Sequence, residues 1–114
     1  GLCDGLITPL GKAVRLGSVI ARMHVDVAPR PYADHHAYCT FYASGKCGKC
    51  IARCPAGAIS EAGHDKAVCD AYVEQSIAHM RDTYSLEGYY GCGLCQTGVP
   101  CESKIPRSVR PAQP

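Results

Sequence analysis

Cys47-Gly-Lys-Cys50-Ile-Ala-Arg-Cys54-Pro55 decides how this chain is read. Thiols spaced this closely have to turn inward on a common centre, and the proline stops whatever turn presents them. Further along stand Cys92-Gly-Leu-Cys95 and then Cys101. Thiolates are soft ligands, and a C-x2-C pair delivers two of them from one turn while a remote cysteine closes the site. Nine cysteines in 114 residues is a density close to that of cross-linked or metal-bound scaffolds.

Nine is odd, so the cysteines cannot all pair within the chain, and nothing in the first residues reads as a secretory apolar segment. Both points favour a reducing, cytoplasmic setting. No stretch approaches the roughly 18 apolar residues of a membrane span. The chain begins at Gly1 in mid-pattern, as expected of a processed product or a fragment of a longer protein. A domain of this size buries only a modest share of its surface, so inorganic cross-links would help hold it. The net charge of +2 is not that of a nucleic-acid binder. Lys104, Arg107 and Arg110 read as a solvated basic tail, and nucleic acid is not expected as a partner of this chain alone.

Residues 12 to 28 partly alternate apolar and polar positions and are rich in Val and Ile, which predicts one long or two short strands broken at Gly17-Ser18. Pro29-Arg30-Pro31 ends them, and a loop is expected through Tyr38. The 47–54 run predicts a tight turn leading into a short helix ended by Pro55. Asp65 is a candidate N-cap for a helix over about 66 to 84, with Val68, Tyr72, Ile77 and Met80 at helical intervals and Cys69 facing inward. Gly88 closes that region. Gly91 and Gly93 allow a close backbone approach to whatever Cys92 and Cys95 hold. Residues 106 to 114, rich in proline, are expected to be irregular.

C-x2-C-x3-C-P is the latter part of the bacterial ferredoxin signature, in which the cysteine before proline serves a different cluster from its neighbours. Eight cysteines would serve two cubanes, leaving Cys3, far in sequence from the rest, as the spare. Two four-cysteine zinc sites would draw on the same residues. A disulfide scaffold fits poorly with the odd count, and thioredoxin-like chemistry lacks its βαβ context.

The stretches Gly1-Leu2-Cys3-Asp4-Gly5-Leu6-Ile7-Thr8-Pro9, Val14 to Ile20, Cys47 to Ile59, Gly63 to Lys66 with Cys69, and Tyr89 to Gln96 together resemble the C-terminal part of the epoxyqueuosine reductase and reductive dehalogenase group. The resemblance spans nearly the whole chain. It implies an α+β fold, a small bacterial-ferredoxin-like domain with two 4Fe-4S clusters and a strand-containing N-terminal extension. Residues 1–33 would form that extension, resembling the edge of a cobalamin-binding reductase domain; 34–105 would be the two-cluster domain and 106–114 the tail. Cys47, Cys50 and Cys101 match ligands of a first cluster, and Cys54, Cys69, Cys92 and Cys95 match all four ligands of a second.

Two departures from that pattern fall on the first cluster. A leading cysteine is expected three residues before Cys47, where Ser44 stands, so Cys39, eight residues upstream, is assigned through a longer loop. The closing segment reads Cys95-Gln-Thr-Gly-Val-Pro-Cys101-Glu rather than C-x3-C-P. No side-chain constellation for substrate chemistry appears, and His24, His64 and His79 lack metal-motif spacing. His35 and His36, beside Asp34 in a Pro-flanked loop, read as a solvent-exposed pair, with a ligand or proton-donor role as the alternative. Lys46, Lys49 and Arg53 would offset cluster charge if they lie close, or else point to water. The reading is therefore single-electron relay to a redox protein partner or within a larger reductase complex. The alternative is the iron-sulfur fragment of a cobalamin-dependent reductase, with cobalamin only in a longer parent or a partner.

Overall fold

A computed structural model describes residues 1–84 and 91–111. Helix α1 (Thr40–Ser44) follows Cys39 and ends on Gly45, whose left-handed φ of 66° turns the chain back. Helix α2 (Lys49–Ala52) carries the C-x2-C turn and stops ahead of Pro55, which has no N–H to continue it. A tight antiparallel pair follows, β1 (Ile59–Ser60) and β2 (Gly63–His64), with Ile59 opposite His64 and Ser60 opposite Gly63. Ile59 points into the core and Ser60 to solvent, as the period of two requires.

Helix α3 (Lys66–Ile77) starts where Asp65 accepts a hydrogen bond from the Val68 amide at 3.1 Å. The helix expected over 66 to 84 is split into α3, a 3₁₀ turn at Ala78–Met80 and α4 (Arg81–Tyr84). Ser76 bonds back to the Val73 carbonyl at 3.0 Å just before the break, a side-chain competition that bends helices. Val73 is the buried residue of α3, whereas Val68 is 42% exposed, so the inward face runs through Cys69, Tyr72 and Val73. Gly88, Tyr89 and Tyr90 lie outside the described residues. The irregular tail contains one 3₁₀ turn, Arg107–Val109, tied to α1 by Thr40 and Ser108 hydroxyls 3.2 Å apart; residues 112–114 are not described.

The strands expected over 12 to 28 are not formed. Residues 14–30 carry no regular structure and 15–30 stand in solvent, with Val19 91%, Ile20 102% and Val27 94% exposed. Alternation marks which side chains share a face, but a strand exists only when its N–H and C=O groups meet a ladder partner, and among the described residues none lies beside this segment. The radius of gyration, 16.5 Å, exceeds the roughly 13 Å of a compact chain of this length.

Residues 1–13 behave differently. Leu2, Cys3 and Ile7 pack in the core with Cys39, Cys50, Ile59 and Ile105. Thr8 and Gly11 close a turn through reciprocal backbone bonds of 2.9 and 2.8 Å. The Lys12 amide then bonds the Cys101 and Glu102 carbonyls at 2.9 and 3.0 Å. Gly11, at φ 86°, is pressed so closely on this segment that a Cβ would lie 2.1 Å from the Glu102 carbonyl oxygen.

Candidate metal centre

The thiols fall into two groups around two cavities. Cys39, Cys47, Cys50 and Cys101 line the first. The short helix α1 and the turn at Gly45 fold the Cys39–Cys47 stretch back on itself, and this brings Cys39 to the same wall as the C-x2-C pair. Cys101 arrives from the segment held by the Lys12 amide. Burial raises the Cys101 thiol above its ordinary range, and the nearby Lys12 opposes the shift. Cys50 is also held up, first by its hydrogen bond with Cys3 and then by burial. This cavity is tight, about 20 Å³, so an inorganic core would need its lining to open.

Cys54, Cys69, Cys92 and Cys95 line the second cavity, which is roomier at about 180 Å³. Cys54 follows α2, Cys69 comes from α3, and Gly93, at φ 70°, lets Cys92 and Cys95 turn toward one side. Backbone amides already point at two of these sulfurs: Ala58 N–H donates to Cys54 Sγ at 3.3 Å and Leu94 N–H to Cys92 Sγ at 3.5 Å. Burial, and then the neighbouring Cys54, raise the Cys69 thiol. Arg53 ties the two motifs together, donating from Nε to the Leu94 carbonyl at 3.1 Å and from a terminal nitrogen to Thr97 Oγ1 at 3.4 Å. It is thus an exposed strut that links the Cys54 and Cys95 segments across the surface.

His64 also lines the second cavity. Its Nδ1 is 3.4 Å from Asp4 Oδ2 but without hydrogen-bond geometry, so both ring nitrogens are buried with no hydrogen-bond partner. Such groups are rare and call for an acceptor or donor. His35, 83% exposed, and His36 sit with Asp34 in a surface loop whose three donor atoms lie within 4.8 Å of one another; His36 stacks on Tyr42.

Two residues escaped the sequence reading. Cys3, taken as the spare, is 4% exposed, lines the second cavity and accepts a hydrogen bond from Lys12 Nζ at 2.8 Å. Lys12, read as the start of a strand, is 3% exposed and lines the first cavity. Hydrogen bonds from the Cys50 and Cys95 thiols, with Lys12 behind them, outweigh burial and hold the Cys3 thiol far below its ordinary range. Burial would lower the Lys12 ammonium, but Cys3, Cys101 and Cys50 outweigh it and hold it above the usual lysine value. No local spacing signalled this pair; it arises from the docking of residues 1–13 on the 101–103 segment. Sequence distance likewise concealed that Lys104 and Arg107, read as a solvated tail, join Lys46 and Lys49 around a cleft of about 710 Å³ that has Cys47 in its wall.

The chain is 34% identical over 101 residues to the epoxyqueuosine reductase of Bacillus anthracis and, to the same degree, to that of Bacillus cereus. Each alignment takes in 83% of this chain and 24% of the relative. The chain thus spans about a quarter of the length of these curated relatives. No protein-family model matches it, and no solved structure matches it significantly. The similarity supports the epoxyqueuosine reductase part of the resemblance.

Proposed function

We propose that the chain is the iron-sulfur portion of an epoxyqueuosine-reductase-like enzyme, a ferredoxin-like unit that holds two 4Fe-4S clusters and relays single electrons. Cys39, Cys47, Cys50 and Cys101 would ligate the first cluster, and Cys54, Cys69, Cys92 and Cys95 the second. The observation that carries this reading is the gathering of the thiols around two cavities, Cys39, Cys47, Cys50 and Cys101 lining one and Cys54, Cys69, Cys92 and Cys95, with Cys3 beside them, lining the other. Clusters of this kind, when bound, each take up or release one electron at a potential set by ligands, hydrogen bonds and exposure.

The donor set fits an iron-sulfur core better than zinc. A tetrahedral zinc with bonds of about 2.3 Å draws its four sulfurs to within about 3.8 Å of one another. Among the described residues, no three thiols have their sulfurs within 4.8 Å. A cubane, in which each cysteine binds a different iron, suits wider spacing. The Ala58 and Leu94 amides supply N–H···S bonds that stabilise charge on ligand sulfur. His64 would find a hydrogen-bond acceptor in a sulfide-rich core. Arg53, at the end of α2, bonds to Leu94 and Thr97 and so keeps the two cysteine motifs adjacent, which suits electron passage between them.

Lys46, Lys49, Lys104 and Arg107 give the cleft beside Cys47 a positive rim, which fits docking by an acidic one-electron carrier. Cobalamin, the substrate and the rest of a reductase would lie in a longer parent or a partner subunit. The test is iron stoichiometry in Cys69→Ala. This variant is expected to fall from about eight irons per chain to about four, with the first-site signal retained. Unchanged iron content would remove Cys69 from the ligand set and overturn the second quartet.

A further inference from the structure

We propose that Lys12 and Cys3 form a polar wedge between the two cysteine quartets, ammonium toward the first and sulfur toward the second, that holds the first site at the higher reduction potential. The inference rests on the two-cluster reading above. Its basis is positional. Lys12 is among the residues lining the cavity of Cys39, Cys47, Cys50 and Cys101, while Cys3 is among those lining the cavity of Cys54, Cys69, Cys92 and Cys95. The two side chains meet between them, Nζ to Sγ at 2.8 Å, and Cys3 Sγ also lies 3.8 Å from the Cys95 carbonyl oxygen.

The pair is built in, not incidental. The Lys12 amide is pinned to the Cys101 and Glu102 carbonyls, so the backbone that presents the ammonium also fixes a ligand of the first site. Gly5 leaves the room the wedge needs, since a Cβ there would sit 3.1 Å from Lys12 Cδ and 3.5 Å from Cys3 Sγ. Burying an ammonium is costly unless anionic partners compensate it. Among the described residues its side-chain hydrogen-bond partner is a thiol sulfur, and Asp and Glu contribute no ion pair to it. Cysteine-ligated cores on either side would supply the compensating negative charge.

A fixed positive charge favours the more negative, reduced state of the nearer site, and in a buried setting a few ångströms of distance matter. The wedge therefore biases a single electron shared between the two sites toward the first. One site is oxidised by one electron as the other is reduced, with no bond made or broken and no proton moved. An electron that enters at the second site would run downhill to the first, the site that borders the basic cleft beside Cys47.

The experiment is an EPR-monitored redox titration of the cluster-loaded wild type, Lys12→Met, Lys12→Arg and Cys3→Ala, with the second-site signal identified by its loss in Cys69→Ala. Lys12→Met is expected to shift the one-electron equilibrium between the sites about tenfold toward the second, equivalent to 59 mV. Lys12→Arg should preserve the gap, and Cys3→Ala should keep both iron sets while narrowing it. Equal movement of both potentials in Lys12→Met, or none, overturns the proposal. So does loss of second-site iron in Cys3→Ala, which would make Cys3 a ligand. Should Lys12→Met fail to load, the gaps in Lys12→Arg and Cys3→Ala decide, and an unchanged gap in Cys3→Ala overturns it. A wild type without two clusters sinks the functional reading itself; two clusters with an insensitive gap sink only the wedge.

Discussion

Gly11 is the position where a single methyl group does most damage. Its Cβ would meet the Glu102 carbonyl oxygen at 2.1 Å and the Ser103 Cα at 2.5 Å, both backbone atoms that cannot swing aside, and its φ is 86°. Gly11→Ala is expected to cost about 2 to 4 kcal/mol through overpacking and backbone strain together. In a thermal melt of the loaded protein this is a fall of roughly 10 to 20 °C. Gly45→Ala is the control, because Gly45 shares the left-handed φ, at 66°, but has nothing within 4 Å. It should lose only about 1 to 2 kcal/mol. Equal losses in the two variants would show that the approach at Glu102 does not constrain the N-terminal turn. Spacing in the sequence gave no hint of this contact, which joins positions about ninety residues apart.

At the scale of elements, the legible parts were those whose cause is local. Pro55 stopping α2 and Asp65 capping α3 follow from the chemistry of one residue and its near neighbours. The strands expected from Val19, Ile20, Val25 and Val27 did not form because pairing needs a second strand, which the alternation of one segment does not supply. The break of α3 at Ala78 was illegible for a related reason: no Gly or Pro marks it, and the bond of Ser76 to the Val73 carbonyl is seen only in the fold. Cys39 reaches the first quartet because α1 shortens an eight-residue separation, a conformation that the resemblance did not contain. Removing the α3 cap by Asp65→Ala should cost about 1 kcal/mol. Because α3 carries Cys69 and the first quartet has no residue on it, iron should leave the second site faster than the first under a chelator. Loss at equal rates would uncouple the cap from the site.

Over the whole molecule, the small core is interleaved with the proposed ligands. Cys39 and Cys50 are buried in it beside Leu2, Cys3, Ile7, Ile59 and Ile105, and Cys54, Cys95 and Cys101 pack at its edge. With so little aliphatic packing, metal-binding energy becomes folding energy. Stripping the metal under reducing conditions is therefore expected to abolish most far-ultraviolet circular dichroism at 222 nm and to collapse the amide proton dispersion to a narrow range. An unchanged spectrum would mean that α2, α3 and the N-terminal turn stand without it. The exposed arm at 14–30, with its apolar side chains in water, should remain protease-sensitive in the isolated chain in either state.

The measurement that bears most directly on the account is the iron and zinc content of anaerobically purified protein, read with EPR before and after dithionite reduction. The account predicts about eight irons per chain, little zinc, and two reduced cubane signals with mutual spin coupling. Zinc without iron would contradict it outright.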